Sequence, residues 1–203
     1  MTTTDSTKQQ TAYLAGGCFW GMEELVRAIP GVLATEVGYS GGVTPDARYE
    51  QVKTGKTGHA ESLKVVFDPQ QLSYRHLLFE FFRMHNPTTR NQQGNDIGTQ
   101  YRSAIFYLSE EQKHTAEEVI RTVDASGDWQ ANGHDRSPTQ TLPRVAGEGS
   151  NESLCEFNDN VVTEVVPFME FYRAEEYHQK YLINNRGGYT CHYVRRYKLG
   201  EGN

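Results

Sequence analysis

The stretch TAYLAGGCFWGMEELVRAI, residues 11–29, changes from a strand-like pattern to a helical one across a pair of glycines. TAYLA predicts a short strand, the glycines predict a turn, and the apolar residues that follow have the spacing of a helix starting near Cys18. Free backbone N–H groups and the helix dipole stabilise a thiolate at such a position. We therefore expect a lowered pKa for Cys18, as a nucleophile requires. The structural alternative is a small buried cysteine in a tight turn.

Short strands and helices continue to alternate along the chain. Apolar periodicity and turn residues predict strands at residues 32–39, 61–68, 103–108 and 161–167, and helices at residues 73–85, 109–126 and 174–183. The short connections favour an α+β fold, with helices packed on a mixed sheet in a ferredoxin-like two-layer core. From Asn184 onward, the Gly- and Tyr-rich sequence predicts an irregular C-terminal tail.

The length of 203 residues is typical of one domain, so we assign residues 1–203 to a single domain with a core at about 11–194. The segment of about residues 129–160 is rich in Gly, Ser, Pro, Asn and acidic residues and has no hydrophobic period. It is long for a loop within a compact domain. We therefore expect a surface insertion there, with Cys155 inside it.

Charge and cysteine content exclude several classes of protein. The 20 Lys and Arg residues against 26 Asp and Glu residues leave a net charge of −6, which argues against binding to nucleic acid or an anionic membrane. The chain has no apolar run of signal-peptide or membrane-spanning length, so we expect a cytoplasmic protein. Three widely spaced cysteines are too few for a disulfide scaffold and are more typical of buried, metal-binding or catalytic thiols.

Two other readings of the thiols stay open at this point. A Cys-His hydrolase would use Cys18 with His59, and Asp96 would orient the imidazole. A metal-binding module would use Cys191 and His192, together with Cys18 or His178. The sequence contains no CxxC or HxxxH pair, so we expect no metal site.

An ordered series of motifs runs along nearly the whole chain, from about residue 13 to residue 194. The motifs are GGCFWG (16–21), PGV (30–32), GYSGG (38–42), TGHAE (57–61), HNPTT (85–89), GNDIGTQYRSAI (94–105), AEEYHQKYL (174–182) and GYTCH (188–192). This series resembles the A-class peptide-methionine sulfoxide reductases. Any one of these motifs is unspecific, whereas the ordered set is highly specific.

The resemblance implies a role for each residue that matches a family motif. Cys18 matches the nucleophile, which becomes a sulfenic acid as methionine leaves. Phe19 and Trp20 match the apolar pocket for the S-methyl group of the substrate. Glu61 matches the acid that protonates the sulfoxide oxygen, a role that suits a buried carboxyl with a raised pKa.

Further polar residues carry family roles around the same oxygen. Tyr49 and Tyr101 match tyrosines whose hydroxyls point at it, and Asp96 matches a residue that orders hydrogen bonds in the pocket. Asn86, in HNPTT, departs from the Asp that is common in the family. If the family Asp tunes the pocket, the tuning differs here, and if it caps a turn, Asn can replace it.

The resemblance also implies how the enzyme is recycled. Cys191 matches the resolving cysteine, which forms a disulfide with Cys18 that thioredoxin reopens, so no cofactor is required. No family motif covers Cys155, which we expect to be a free thiol or, as a less favoured alternative, a relay to the reductant. The expected protein is a monomeric enzyme that repairs oxidised proteins, reducing free and protein-bound methionine (S)-sulfoxide.

Overall fold

The computed structural model describes residues 9–128 and 160–199. Nearly all of the predicted insertion, including Cys155, lies outside these residues. None of the helices in the described part of the chain has the length and apolar character needed to cross a membrane.

A mixed sheet forms the centre of the fold. Within the described residues it has six strands in the order β7-β6-β1-β3-β2-β8, and neighbours are antiparallel except for the parallel pair β6 and β7. A separate hairpin consists of β4 and β5. The predicted α+β fold with a mixed sheet is therefore confirmed. The strands are β1 (Gln10–Gly16), β2 (Val32–Ser40), β3 (Ala60–Phe67), β4 (Gln92–Gln93), β5 (Asp96–Ile97), β6 (Ser103–Tyr107), β7 (Glu164–Pro167) and β8 (Phe171–Arg173).

The helices begin where side chains satisfy free backbone N–H groups. Ser73 accepts a hydrogen bond from the backbone N–H of His76 at 3.1 Å, and Ser109 accepts one from Gln112 at 3.3 Å. Gly127, with φ +66°, ends the longest described helix in a left-handed conformation. The helices are α1 (Phe19–Val26), α2 (Tyr49–Val52), α3 (Tyr74–Met84), α4 (Glu110–Ser126) and α5 (Tyr181–Asn184), and 3-10 turns occur at Thr99–Tyr101 and Glu176–His178.

The hydrophobic core lies between the sheet and the long helices. Phe79, Phe81 and Phe82 of α3 are buried in the same cluster as Leu14 of β1 and Leu63 of β3. Fully burying one such side chain stabilises the fold by roughly 1.5–3 kcal/mol. This packing fixes the carboxyl end of β1, where the nucleophile candidate lies.

The helix expected at residues 174–183 is wrong. The chain first forms β8, whose Phe171–Arg173 pairs with β2, then a 3-10 turn, and α5 begins only at Tyr181. The side-chain amide of Gln179 explains the break, because it donates to the carbonyl of Val37 at 2.9 Å and accepts from the N–H of Val37 at 3.0 Å. These buried bonds outweigh local helix propensity.

Two smaller elements were absent from the predicted pattern. The four-residue helix α2 and the hairpin of β4 and β5 both lie in segments expected to be loops. Both are too short to show a hydrophobic period. They matter for function because α2 carries Tyr49 and β5 carries Asp96.

Candidate active site

The turn between β1 and α1 places Cys18 at the N-cap position of α1, where its side chain is 6% exposed. Gly17 has φ +100°, a conformation that favours glycine. A Cβ at Gly16 would come within 2.9 Å of the Phe81 ring. The two glycines therefore let the chain turn sharply against α3 and put the sulfur at the start of the helix.

The carboxyl group of Glu61 lies buried next to this turn. Glu61 is on β3, is 4% exposed, and accepts a hydrogen bond from the backbone N–H of Phe19 at 3.0 Å. Burial raises the pKa of Glu61 to about 8, and the nearby Asp96 contributes in the same direction. At neutral pH the carboxyl therefore carries its proton and is able to act as an acid.

The thiol of Cys18 does not have the lowered pKa that its helical position predicts. Burial raises the pKa, the charge of Glu61 raises it further, and the backbone N–H of Trp20 lowers it by less. The sequence expectation is therefore wrong for the resting site. Cys18 rests as a thiol beside a protonated carboxyl.

Aromatic side chains form one wall of the site around His178. The indole Nε1 of Trp20 donates to His178 Nδ1 at 3.0 Å, and the indole stacks on Tyr181 with ring centroids 3.8 Å apart. The rings of Phe19 and Tyr49 lie 5.2 and 4.7 Å from the imidazole. Sequence reasoning considered His178 only as a metal ligand, and its place in AEEYHQKYL was the one signal that tied it to this pocket.

Tyr49 and Tyr101 approach the site from separate elements. Tyr49 begins α2, and its backbone N–H donates to Glu175 Oε1 at 3.0 Å. Tyr101 ends the 3-10 turn before β6. Burial and then Glu61 raise the pKa of both phenols, so both are neutral donors at physiological pH.

Asp96 lies between the pocket and the C-terminal tail. Its Oδ2 accepts a hydrogen bond from the hydroxyl of Tyr189 at 3.1 Å and one from Cys191 Sγ at 3.4 Å. Burial raises the pKa of Asp96, and these two hydrogen bonds act in the opposite direction. Sequence alone would make this residue part of a turn, whereas it contacts the predicted resolving thiol.

The tail that carries Cys191 packs against two glycines, Gly21 in α1 and Gly94 in the hairpin of β4 and β5. A Cβ at Gly21 would overlap Thr190 Oγ1 and lie 2.7 Å from His192 Nδ1, and a Cβ at Gly94 would lie 3.2 Å from Cys191 Cβ. The backbone N–H of Cys18 lowers the pKa of the Cys191 thiol, although burial and Asp96 raise it to about 12 overall. The structure therefore places the two predicted redox cysteines in one site without a movement of the tail.

The hydrolase arrangement does not form. His59 accepts a hydrogen bond at Nδ1 from the backbone N–H of Gly42 at 3.1 Å, and its Nε2 bonds to the carbonyl of Thr44 at 2.8 Å. Both ring nitrogens thus bind the backbone of the loop at Gly42 and Thr44, and neither is available as a base for Cys18. Asp96 contacts Cys191 and Tyr189 instead of this imidazole.

The two histidines of the metal-binding alternative also have other hydrogen-bond partners. Trp20 occupies Nδ1 of His178, and His192 Nε2 lies 2.7 Å from the carbonyl of Gly16. Across residues 9–128 and 160–199, no group of three or more His, Cys, Asp and Glu side chains could hold a metal ion.

The departure at Asn86 has a simple structural explanation. Its Oδ1 accepts hydrogen bonds from the backbone N–H and the hydroxyl of Thr88, at 2.9 and 2.8 Å. This is the capping of a turn by an Asx side chain, which an Asn oxygen performs as well as an Asp oxygen.

Comparison with known proteins gives the same answer as the motifs. The family model described as peptide methionine sulfoxide reductase matches residues 10–142 and 134–201. The chain is 46% identical over 189 residues to the peptide methionine sulfoxide reductase MsrA of Nocardia farcinica, covering 93% of this chain and 92% of that protein. It is 47% identical over 190 residues to MsrA 1 of Mesorhizobium japonicum, covering 94% and 92%.

A solved structure shows that the likeness extends to the fold. The reduced form of Mxr1 from Saccharomyces cerevisiae aligns with a TM-score of 0.73 at 33% identity, covering 95% of this chain and 96% of Mxr1. Identities of 33–47% over nearly the full length of this chain and of each relative show that they share one fold and one family. The chain belongs to the peptide methionine sulfoxide reductase family.

Proposed function

We propose that this protein reduces the S epimer of methionine sulfoxide, free or within proteins, to methionine. The proposal is carried by one observation: the Cys18 thiol lies beside a buried Glu61 whose pKa is raised to about 8. A nucleophilic sulfur and a carboxylic acid at one point are what attack on a sulfoxide requires. Family membership supports the substrate and the choice of epimer.

In the first step the sulfoxide oxygen binds between Glu61 and the hydroxyls of Tyr49 and Tyr101. Cys18 Sγ attacks the sulfoxide sulfur while Glu61 protonates the oxygen. The hydroxyl then passes from the substrate sulfur to Cys18 Sγ as the bond between the two sulfurs breaks, so methionine leaves and Cys18 becomes a sulfenic acid. The proton of the Cys18 thiol returns to Glu61, so the step consumes no proton from solvent. The rings of Phe19 and Trp20 hold the S-methyl group.

In the second step Cys191 attacks the sulfur of the Cys18 sulfenic acid, and water leaves as the disulfide forms. Thioredoxin then reduces the disulfide by thiol–disulfide exchange. The position of the Cys191 segment against Gly21 and Gly94 supports this assignment. Asp96, which contacts Cys191, would orient the thiol.

The order of elements suggests a finer description of the fold. We infer a ferredoxin-like core, because β1, α1, β2, β3, α3 and β6 follow one another as βαββαβ, and the four strands lie in the order β6-β1-β3-β2. One domain over residues 1–203, a monomeric state and a cytoplasmic location stay predictions from the sequence.

The test is turnover of the separate S and R epimers by wild type, Cys18→Ser and Cys191→Ser, with dithiothreitol and then with thioredoxin. We expect S-selective activity that Cys18→Ser abolishes with both reductants, and that Cys191→Ser loses only with thioredoxin. Cys155→Ser is the matched control and should behave as wild type. If the wild type reduces neither epimer, the proposed activity is refuted. If Cys155→Ser, and not Cys191→Ser, loses the thioredoxin reaction, Cys155 is the resolving cysteine.

A further inference from the structure

The imidazole of His192 lies next to Cys191 and is fixed at both ring nitrogens. Its Nε2 is 2.7 Å from the carbonyl oxygen of Gly16, and its Nδ1 is 3.4 Å from Cys191 Sγ. The backbone N–H of His192 also donates to Thr190 Oγ1 at 3.1 Å. The ring is held in one orientation between Gly16, in the turn from β1 to α1, and the tail.

These contacts determine where the imidazole proton resides. A carbonyl oxygen only accepts hydrogen bonds, so Nε2 must be the protonated nitrogen. Burial lowers the pKa of His192 to about 4, so the ring is neutral at physiological pH and Nδ1 presents a free lone pair to Cys191. No role proposed so far uses this lone pair.

The thiol of Cys191 needs such an acceptor. With a pKa of about 12, roughly one thiol in 10⁵ is ionised at pH 7. The second neighbour of the sulfur, Asp96 Oδ2, already accepts a hydrogen bond from Tyr189. Its negative charge also raises the pKa of Cys191, so it opposes formation of the thiolate.

We infer that His192 is the proton acceptor for Cys191 when this thiol attacks the sulfenic acid of Cys18. This inference rests on the proposed role of Cys191 as the resolving cysteine. The Cys191 proton moves to Nδ1 as the S–S bond forms and the S–O bond of the sulfenic acid breaks. The departing hydroxide takes a proton from Glu61 and leaves as water. The electron pair of the new S–S bond comes from Cys191 Sγ, and the pair of the S–O bond leaves with the hydroxide. His192 then releases its proton to solvent, and Glu61 takes one up from solvent.

Two substitutions separate the functions of the two ring nitrogens. His192→Gln keeps an N–H near the position of Nε2, able to donate to Gly16, but has no acceptor near the position of Nδ1. His192→Asn keeps an oxygen near the position of Nδ1 and has no group long enough to reach the Gly16 carbonyl. His114→Gln on α4, where the ring is 70% exposed, is the matched control for the same chemical change.

The measurement is a single turnover of methionine (S)-sulfoxide without reductant, in which methionine and the Cys18–Cys191 disulfide are quantified against time. In His192→Gln, the rate of disulfide formation relative to methionine formation should fall about 100-fold, within the range usual for loss of a general base. His114→Gln should keep the wild-type ratio. An unchanged ratio in a folded His192→Gln variant would overturn the inference.

The pH dependence of disulfide formation distinguishes proton transfer from positioning. With a neutral His192, the wild-type rate should be nearly constant from pH 6 to 7.5, whereas His192→Gln should show a rise of about tenfold per pH unit, as solvent ionises the thiol. The titratable and charged groups near the reacting sulfurs are Asp96, Tyr189 and Glu61, and those near the imidazole are His85 and Arg195. Above pH 8, Glu61 loses the proton that the leaving hydroxide needs, so the rate should fall in both proteins. A tenfold rise per pH unit in the wild type itself would refute the inference, even if the variants fail to fold.

Failure of this inference differs from failure of the proposed function. If Cys191→Ser still turns over with thioredoxin, the resolving role of Cys191 is wrong and His192 has no thiol to serve. If Cys191→Ser is inactive with thioredoxin and His192→Gln keeps the wild-type ratio and pH profile, only the role of His192 is wrong. If His192→Gln and His192→Asn lower the ratio equally with flat pH profiles, His192 only positions the tail.

Discussion

Replacing Glu61 by Gln should stabilise the folded protein while removing most of its activity. The carboxyl is buried and its pKa is raised from an ordinary value of 4.5 to about 8. Between these two pH values the unfolded chain loses the proton of Glu61 and the folded chain keeps it. Stability therefore falls as pH rises through this window and levels off above pH 8.

The size of the effect follows from the shift in pKa. Each unit corresponds to about 1.4 kcal/mol. At pH 7 the folded state has lost about 3 kcal/mol through Glu61, and at pH 8 and above nearly 5 kcal/mol. The amide of Gln has nearly the same shape and remains neutral, and its oxygen can still accept the N–H of Phe19. The free energy of unfolding of Glu61→Gln should therefore not fall in this way as the pH rises.

Urea unfolding of wild type and Glu61→Gln at pH 5 and pH 7.5 measures the difference directly. The stability advantage of the variant should be below about 1 kcal/mol at pH 5 and several kcal/mol at pH 7.5. Glu50→Gln is the matched control, because its carboxyl is 74% exposed and pairs with Lys53 at the surface. Its effect should be small at both pH values.

Three results would contradict this prediction. A constant difference between wild type and Glu61→Gln across the pH range would mean that Glu61 has the same pKa in the folded and unfolded states. A variant that becomes less stable than wild type as pH rises would mean that an ionised Glu61 is stabilised in the pocket. Retention of full reductase activity would show that the acid role belongs to another group.

Three further predictions concern the pocket and the tail. The kcat/KM of the wild type for methionine (S)-sulfoxide should fall above about pH 8, approaching tenfold per pH unit, because Glu61 loses its proton there, and a flat profile would exclude it as the acid. Gly21→Ala should weaken docking of the tail by roughly 1–3 kcal/mol, because its Cβ would overlap Thr190 Oγ1. Thioredoxin-driven turnover should then fall by about 5- to 150-fold relative to dithiothreitol-driven turnover, and an unchanged ratio would contradict this. Trp20→Phe removes the N–H donor to His178 and should cost about 1–3 kcal/mol in urea unfolding and raise KM, whereas unchanged values would make the indole N–H dispensable.

The sequence predicted the long elements of the fold because local signals mark their ends. Ser73 and Ser109 cap α3 and α4 with hydrogen bonds three residues along the chain, and the predicted bounds of α3 agree with the observed ones to within one residue. The strand β8 was missed because it has three residues and exists only through pairing with β2. The amide of Gln179 ends the expected helix through contacts 142 residues away in sequence. No local pattern carries such a signal.

The candidate site was found through motif matches rather than through physical patterns. Its residues come from the end of β1, the start of β3, α2, the β5 hairpin and the C-terminal tail, and the fold brings them together around Cys18. Each segment alone is typical of an ordinary turn or strand end. His178 and His192 were considered only as metal ligands, because the partners that define their roles, Trp20 and Gly16, are distant in sequence.

The pKa of Cys18 shows why charge states cannot be derived from local sequence. A helix N-terminus stabilises a negative charge by about 0.3–1 kcal/mol at the surface, less than one pKa unit. Deep burial shifts a pKa by as much as 3–5 units in the opposite direction. Burial depends on elements such as α3 and the tail, which the local motif does not contain, so it decides the sign.

A neutral thiol at Cys18 beside a protonated Glu61 suits the proposed chemistry better than a thiolate beside a carboxylate would. At neutral pH Cys18 and Glu61 each carry a proton, so this pair has no net charge and accommodates an uncharged sulfoxide. The first step converts thiol and sulfoxide into sulfenic acid and thioether, with every proton retained inside the site. A resting thiolate would also repel an ionised Glu61, and the enzyme would then have to collect a proton from solvent at each turnover. In the buried, neutral pair the two groups do not repel each other. No proton from solvent is needed, because Glu61 donates its proton to the oxygen and recovers one from Cys18.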